Sequence, residues 1–356
     1  MKLNITHYFF LLALLLSVLG VIFIFSASTY WSEVHYKEEV PFYIKQLVFL
    51  VLAIMVYVFI SRVSLEQQSL WNFFYGVSII LLIIVLIPGI GVERNGSRSW
   101  LAIGPILLQP AELAKITTLA LLSFKLAAKR STDSTVKLNH FIIAGIPLFL
   151  IMLQPDFGSA FILAVAVFVL FFIAQYPYRF YIGIVIIGVV GILYLIISEP
   201  YRLVRIKSFI DPWQDPLGSG FQAVQSLLAI GSGGLFGQGF LKSRQKYLYL
   251  PEPQNDFIFS IILEEIGFVG GFFVICIFAC FLFTGYLLAK QAVYLKQFYM
   301  ISSLICMLAI QIFLNLGVVT GVLPVTGVTL PFISYGGSSL LIVWITVAII
   351  LNTAKQ

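Results

Sequence analysis

The polar side chains that could carry chemistry are concentrated between residues 201 and 271 of a chain that is otherwise mostly apolar. Asp256 follows three cations, Lys242, Arg244 and Lys246, which occur at alternate positions. Alternate positions share one side of an extended strand, so the three cations would lie together. Clustered cations bind phosphate groups, and a nearby carboxylate can act as a general base. This segment is therefore the predicted active-site loop, with a solvated charged loop as the competing interpretation.

Five glycines precede these cations in the segment GSGGLFGQG, at positions 231, 233, 234, 237 and 239. A glycine run lets the backbone approach a ligand closely and can present N–H groups to phosphate. The segment matches neither a P-loop, since no GK[ST] follows, nor a dinucleotide-binding turn between a strand and a helix. A flexible loop is therefore the stronger interpretation of the glycines, and phosphate binding is the weaker one.

Further charged residues occur beside or inside apolar runs, where an unpaired charge is costly. Glu112 and Lys115 are three residues apart and would share one helical face. They either form a local ion pair that fixes helix packing, or Lys115 joins Arg94 and Arg98 in lining a cavity for an anionic headgroup. Asp156 lies at the start of an expected helix. It either caps that helix or neutralises Lys115 across the bundle.

Two more polar segments interrupt the apolar pattern. Glu264 and Glu265 are adjacent, and neighbouring helix positions point in different directions, so at least one of them must face a polar interior. Residues 323–340, LPVTGVTLPFISYGGSSL, contain glycines and serines that permit close helix packing. Packing is at least as good an interpretation of this segment as a role in substrate binding.

The composition indicates a membrane protein. Of the 356 residues, 60% are hydrophobic and only 10% are charged, and the mean hydropathy is +1.04. So much apolar surface cannot be buried in a water-soluble core, so the bilayer must be the solvent. The net charge of +6 is modest and does not indicate nucleic-acid binding. Cys276, Cys280 and Cys306 fall in apolar runs, without the spacing of a disulfide framework or a zinc site.

Ten apolar runs are candidates for helices that cross the bilayer, which takes roughly 20 residues each. The predicted fold is an all-α integral membrane protein with about ten transmembrane helices in one polytopic domain over residues 1–356. A large extracytoplasmic loop, at about residues 199–257, separates spans 7 and 8. The predicted spans are 8–29, 42–60, 72–89, 107–127, 141–154, 157–174, 180–198, 257–289, 297–319 and 331–351.

The charges in the loops predict the orientation. An even number of spans puts both termini on one side, and Lys and Arg collect in cytoplasmic loops. With both termini in the cytoplasm, the inner segments contain the acids Glu66 and Asp133 and ten basic residues, and most of the polar motifs lie at the outer ends of spans. The basic residues are Lys2, Arg62, Lys125, Lys129, Arg130, Lys137, Arg179, Lys290, Lys296 and Lys355.

Six segments together resemble the SEDS family of integral-membrane peptidoglycan glycosyltransferases, which includes FtsW and RodA. They are NGSRSW, QPAELAK, QPDFGSA, QSLLAIGSGGLFGQG, LPEPQNDFIF with EEIGF, and LPFISYGGSSL, and they occur in the family's order along nearly the whole chain. The sequences DPWQDPLGSGFQAVQSLLA and SRQKYLYLPE resemble the FtsW and sporulation branch more than the RodA branch. The family usually has His-Thr before its key acid, whereas this chain has Gln254 and Asn255 before Asp256, so the preceding hydrogen bonds must differ.

The resemblance implies a reaction on lipid II, a disaccharide-pentapeptide carried by undecaprenyl pyrophosphate. The sugar 4-hydroxyl of one unit attacks another unit on the outer face of the cytoplasmic membrane, with Asp256 as the base and cations stabilising the pyrophosphate leaving group. The residues assigned to substrate binding are Arg94, Arg98, Trp100, Lys115, Asp156, Lys242, Arg244, Lys246 and Glu252, and those assigned to the polar core are Glu112, Glu264 and Glu265.

The resemblance also bears on cofactors and partners. A divalent cation, Mg²⁺ or Mn²⁺, could assist the leaving group, but no metal ligands are assigned and no other cofactor is expected. The expected partners are a class B penicillin-binding protein, which crosslinks the glycan, and other divisome or elongasome membrane proteins.

Two other functions fit a polytopic membrane protein. A lipid II flippase or another transporter would use Lys115, Asp156 and the paired glutamates as a polar pathway, but it needs polar groups accessible from both faces. A noncatalytic scaffold for division proteins explains the apolar surface and leaves Asp256 and its basic neighbours without a role. The polar motifs gather on one side, so the sequence favours the enzyme.

Overall fold

The computed structural model describes residues 2–35, 40–94, 97–104, 106–128, 138–177, 179, 181–183, 208–247 and 249–355. Ten α-helices are bounded within this part of the chain. They are α1 (Lys2–His35), α2 (Phe42–Ile60), α3 (Gln68–Ile84), α4 (Pro110–Ala127), α5 (Leu138–Leu153), α6 (Phe157–Ile173), α7 (Phe221–Gly233), α8 (Ile258–Lys290), α9 (Leu295–Val319) and α10 (Gly337–Lys355). A short 3-10 helix covers Pro212–Gln214.

Nine of these helices coincide with predicted spans; the exception is α7, which lies in the long loop. By length and composition, α1, α2, α8, α9 and α10 can each cross a membrane, and α3, α5 and α6 are shorter apolar helices. The seventh predicted span, 180–198, lies outside the described residues except for 181–183. The prediction of a predominantly helical, multi-pass membrane protein is confirmed.

A small antiparallel sheet between α3 and α4 was not predicted. Its strands pair in the order β1-β2-β3, and they are β1 (Gly91–Arg94), β2 (Ser97–Ile103) and β3 (Ile106–Leu108). Because β3 occupies the start of the fourth predicted span, α4 begins at Pro110 rather than at 107. Side chains alternate along a strand, so Ser99 is buried while Arg98 and Trp100 share the other face of β2.

The helix α4 is surrounded by protein. Nearly all of its residues are buried, and it packs against α3, α5 and α9. Pro110 occupies the first turn, as predicted, where its missing N–H would have had no helical partner. A helix that faces protein rather than lipid can carry charged side chains if they are paired. This is the environment in which Glu112 and Lys115 lie.

The glycine-rich segment, whose first three residues are the last three of α7, docks onto a break in α8. Within α8, Gly267 has φ +68° and ψ −174°, so the helical hydrogen bonds stop there. The carbonyls of Glu264 and Glu265 instead accept hydrogen bonds from the N–H groups of Gln238 (2.9 Å) and Gly239 (3.0 Å). In the other direction, the N–H groups after the break, from residues 268 and 269, donate to the carbonyls of residues 234 and 235.

The docking requires two backbones to touch, which explains the glycines. A Cβ at Gly237 would lie 2.2 Å from the carbonyl oxygen of Glu265, and a Cβ at Gly267 would lie 2.3 Å from the backbone nitrogen of Gly237. Two N–H groups that a phosphate cradle could use, those of Gln238 and Gly239, are instead bonded to carbonyls of α8. Gly233, Gly237 and Gly267 form a backbone-to-backbone contact that attaches the long loop to α8.

Replacing Gly267 by alanine should lower stability by about 1–3 kcal/mol or more, because alanine would be strained at this φ and its Cβ would overlap the backbone of Gly237. The matched control is Gly76→Ala in α3, where a Cβ meets nothing within 4 Å. Thermal unfolding of both variants in detergent measures the difference. Equal midpoints for the two variants would contradict the docking contact.

Candidate active site

Asp256 lies directly before α8, and one side chain from α9 fixes its backbone. The buried amide of Asn315 donates a hydrogen bond to the carbonyl of Asp256 (2.8 Å) and a second to the carbonyl of Val328 (2.8 Å). Both amide hydrogens are therefore committed. They tie the acid to residues 320–336, which connect α9 to α10.

This connecting segment lies against the Asp256 carboxylate. The backbone N–H of Tyr335 donates to the carbonyl of Gln254 (2.8 Å). A Cβ at Gly327 would lie only 3.7 Å from Oδ2 of Asp256. Because Gly327 has no side chain, the carboxylate stays uncovered on that side. From the sequence, a packing role was at least as good an interpretation of this segment, whereas the structure brings it into contact with the acid.

The start of α6 meets the same segment. A Cβ at Gly158 would lie 2.6 Å from Cγ2 of Val328 and 3.1 Å from the carbonyl oxygen of Thr326. The hydroxyl of Thr326 is buried and has no protein partner among the described residues. Residues 326–328 thus contact both the QPDFGSA motif and Asp256, which are about a hundred positions apart in the sequence.

The predicted ion pair between Lys115 and Asp156 is wrong. The Nζ atom of Lys115 contacts Oε1 of Glu112 at 2.7 Å, and both side chains are buried in α4. Asp156 caps α6 by accepting from the backbone N–H of Ser159 (3.0 Å), and it accepts a second hydrogen bond from the amide of Gln109 (2.6 Å). The local partners prevail because they already share a helical face or a helix end with each charge.

The environment of Asp256 suits a proton acceptor near neutral pH. Burial raises the pKa of the Asp256 carboxyl to about 6, and the negative charge of Glu252 adds to the rise. The side chain nonetheless keeps some exposure to solvent. A carboxylate with this pKa is ionised at pH 7 and is more basic than an ordinary aspartate.

Asn255 and Gln254 replace the expected His-Thr pair, and neither side chain is shown bonded to the acid. The amide of Asn255 donates to Oε2 of Glu252 (2.6 Å), which fixes the second carboxylate near Asp256. Glu252 itself has a left-handed backbone, with φ +43°. The side-chain oxygens of Gln254 and Asn255 are buried and have no hydrogen-bond partner within the described part of the chain.

The prediction that the three loop cations lie on one side of an extended strand is wrong. The described residues around them form consecutive turns. Lys246 is buried, and its Nζ contacts Oε1 of Glu265 (3.4 Å) and donates to the carbonyl of Leu241 (2.6 Å). Lys242 and Arg244 are exposed. Lys246 therefore stabilises the fold, and only the other two cations are open to a ligand.

Glu264 and Glu265 both point into this loop. Glu264 accepts hydrogen bonds from the backbone N–H groups of Arg244 (2.9 Å) and Gln245 (3.4 Å) and from the hydroxyl of Ser243. Glu265 accepts from the hydroxyl of Ser26 in α1 as well as from the buried lysine. The two carboxylates thereby join α1, α8 and the loop that leads to Asp256.

The remaining predicted ligands belong to the small sheet. Arg98 lies 3.6 Å from Glu93, and both side chains are partly exposed. Trp100 is partly buried on the same face of β2. The side chain of Arg94 lies outside the described residues. Among the described contacts, none joins Arg98 or Trp100 to Asp256.

Asn315 and Gly327 were missed as site residues. A signal for the first was present, since Asn315 is an amide inside the apolar run 297–319, and a polar group in a membrane span is a candidate for function. Gly327 carried no such signal, because the sequence contains many glycines and only the fold brings this one against the acid.

Replacing Lys246 by methionine should cost about 3–5 kcal/mol of stability, because the buried Glu265 carboxylate would lose its cationic partner. The same replacement at the exposed Lys242 should leave the thermal midpoint unchanged. Thermal unfolding of the two single variants in one detergent measures both effects. A midpoint for Lys246→Met equal to that for Lys242→Met would rule out the structural role of the buried ion pair.

The chain is similar to known proteins along nearly its whole length. A family model described as cell cycle protein, for FtsW, RodA and SpoVE, matches residues 6–356. The chain is 40% identical to stage V sporulation protein E of Bacillus subtilis over 97% of this chain and 95% of the relative. It is 39% identical to a probable peptidoglycan glycosyltransferase FtsW of Saccharophagus degradans, over 93% of this chain and 87% of the relative.

Solved structures give the same result. A chain of a peptidoglycan synthase complex, described as coordinating polymerization and crosslinking, superposes with a TM-score of 0.80 at 30% identity, covering 98% of this chain and 96% of that one. The rod shape determining protein RodA of Thermus thermophilus superposes with a TM-score of 0.72 at 29% identity, covering 98% and 95%. With a family match over nearly its whole length and a relative of 40% identity, the chain belongs to the FtsW, RodA and SpoVE family.

Proposed function

We propose that this chain is a peptidoglycan glycosyltransferase that polymerises lipid II, with Asp256 as the general base. The observation that carries the assignment is the position of Asp256. It is a partly buried carboxylate with a pKa of about 6, in contact with the segment that also meets the start of α6. The names of the relatives, peptidoglycan glycosyltransferase FtsW among them, support this reaction class.

In the proposed reaction, Asp256 accepts the proton of the sugar 4-hydroxyl of one lipid-linked unit. The hydroxyl oxygen forms a bond to the anomeric carbon of a second unit, and the bond from that carbon to the pyrophosphate breaks with inversion. Undecaprenyl pyrophosphate leaves with the bonding electron pair. A positioned base of this kind typically contributes about 10²–10⁴ in rate.

The leaving group needs positive charge, and the contacts divide the predicted cations into two sets. Lys115 and Lys246 are already neutralised by buried glutamates, so they act on the fold. Lys242 and Arg244 are exposed and form no ion pair with a described acid, which leaves them free to meet the pyrophosphate, whereas Arg98 is partly exposed and would have to exchange Glu93 for it. Arginine suits this role because its planar guanidinium can donate two parallel hydrogen bonds to phosphate oxygens.

A divalent cation would supply further charge to the leaving group. The described residues contain no group of three or more His, Cys, Asp or Glu side chains able to hold a metal. Asp256 and Glu252 offer two carboxylates close to each other, and a Mg²⁺ ion commonly takes its other ligands from water and substrate phosphates. In this proposal the cation enters with the lipid-linked substrate.

The proposed setting is the outer face of the cytoplasmic membrane, with both termini in the cytoplasm. The charge bias of the inner segments supports that orientation. The similarity to a peptidoglycan synthase complex that couples polymerization to crosslinking supports a penicillin-binding protein as partner. In the proposal this partner is of class B, and the site serves division or cell shape.

The direct test is polymerisation of labelled lipid II by purified protein, with its cognate penicillin-binding protein present. Asp256→Asn removes the base with almost no change in shape and should abolish detectable polymer, a loss of about 100-fold or more. Asp215→Asn, an exposed acid of the same long loop, is the matched control and should polymerise normally. Equal polymer from both variants would remove Asp256 from its role.

The pH dependence of the reaction gives a second test. The ionised form of Asp256 is the base, so activity should be retained above pH 6 and fall as the pH drops through about 6. Glu252→Gln removes one of the two causes of the raised pKa, so the acid limb should move to lower pH. Burial, the larger cause, remains, so the limb should stay above that of an exposed aspartate.

The control for this pH profile is Glu66→Gln, which removes an exposed carboxylate just after the C-terminal end of α2. Its acid limb should coincide with that of the unmodified protein. An acid limb that does not move in Glu252→Gln would show that Glu252 does not act on the titrating group.

A further inference from the structure

A second polar site lies at the end of the bundle opposite to Asp256. A cavity of about 250 Å³ opens there between the C-terminal ends of α2 and α10, and it is lined by Ser61, Arg62, Val63, Ser64, Asn352 and Lys355. Both helices are long and apolar enough to cross a membrane. The cavity therefore lies at the membrane surface, on the side where α10 ends.

The carbonyls at the end of α2 do not give this cavity a negative character. The last carbonyls of a helix are usually unsatisfied and carry partial negative charge. Here the buried amide of Asn352 donates to the carbonyls of Ile60 (2.6 Å) and Val63 (2.8 Å). The hydroxyl of Ser61 donates to the carbonyl of Val58 (2.8 Å). These donors neutralise the helix end, so the charge of the cavity is set by its cations.

Within the described part of the chain, the cations of the cavity lack acidic partners. Arg62 and Lys355 are exposed, and neither forms an ion pair with any described acid. A neighbouring smaller cavity is lined by Glu66 and Lys296. Counting both cavities, Arg62, Lys296 and Lys355 face a single acid, Glu66, so positive charge is in excess by two.

The apolar surface beside the cavity indicates what kind of anion would bind. Met55 and Phe59 are one turn apart on α2, they lead up to Arg62, and they are 62% and 70% exposed. On a membrane-spanning helix these side chains face acyl chains. A lipid can therefore place its chains on this face of α2 while its headgroup reaches the cations.

We infer that this cavity binds the phosphate of an anionic phospholipid headgroup. Arg62 and Lys355 provide charge-assisted hydrogen bonds to the phosphate oxygens, and Ser64 provides a hydroxyl beside them. Basic pockets between membrane helices are suited to anionic headgroups for this reason. The inference does not depend on the polymerase reaction, because the site shares no residue with the surroundings of Asp256.

The test is lipid binding by the purified full chain, measured by native mass spectrometry from neutral detergent. Phosphatidylglycerol should bind the unmodified protein more tightly than phosphatidylcholine. The double variant Arg62→Gln with Lys355→Gln should bind phosphatidylglycerol at least about tenfold more weakly, because two cationic contacts are lost. The matched control, Arg179→Gln with Lys290→Gln, removes two exposed cations elsewhere on the same end and should bind normally.

A charge-retaining variant and a competition with inorganic phosphate complete the test. The charge-retaining variant Arg62→Lys with Lys355→Arg should keep the preference for phosphatidylglycerol, which separates lost charge from lost folding. Unchanged binding in the Gln double variant, or an equal loss in the control, would overturn the site. If inorganic phosphate in neutral detergent competed with the lipid at equal affinity, the assignment to a lipid headgroup would be wrong.

Discussion

The buried carboxylates of Glu264 and Glu265 hold the polar loop of this protein on its apolar bundle. A buried charge is tolerated only when donors replace its lost hydration. Backbone N–H groups, the hydroxyls of three serines and the ammonium of Lys246 supply those donors. The same turn of α8 is broken at Gly267, so its carbonyls bind the glycine-rich segment. The loop therefore cannot separate from the bundle without exposing unpaired polar groups. Asp256, at the end of this loop, is held in place with it.

This arrangement separates structural charges from available ones. The pairs Lys115 with Glu112 and Lys246 with Glu265 are buried and internally neutral. A charge that is already paired and hydrogen-bonded in the interior has little capacity left for a ligand. The exposed cations of the loop keep theirs. The negative charge of a pyrophosphate would thus meet a few exposed side chains rather than the whole set of cations that the sequence contains.

The carboxylate of Asp256 is both largely buried and accessible, two conditions that usually exclude each other. The side-chain amide of Asn315 fixes the carbonyl of Asp256. The carboxylate is buried enough for its pKa to rise to about 6. Gly327 leaves the same carboxylate uncovered. Burial increases basicity, and access allows a proton to reach the oxygen. The amide oxygens of Gln254 and Asn255, which lack protein partners, add acceptors close to this point.

Much of the architecture could be predicted from the sequence because apolar runs respond to the bilayer one helix at a time. Nine of the predicted spans are helices, and the proline at the start of α4 is where its chemistry requires it. The sheet of β1, β2 and β3 was missed because strands of three to seven residues between spans give too short a pattern to separate from a turn. For Lys115 the sequence left two acids open, Glu112 on the same helical face and the distant Asp156, because it gives no distance to an acid on another helix.

The sequence by itself determined the membrane setting and the order of the motifs, and it singled out Asp256 as the candidate base, since residue type, neighbouring charges and the family resemblance are all read along the chain. Only the tertiary structure decided which cations are neutralised, that the glycines join two backbones, and that Asn315 and Gly327 border the acid. Most of those facts depend on distances between residues that lie 19 to 71 positions apart. Such distances are set by how the helices pack, and no local pattern of side chains records them.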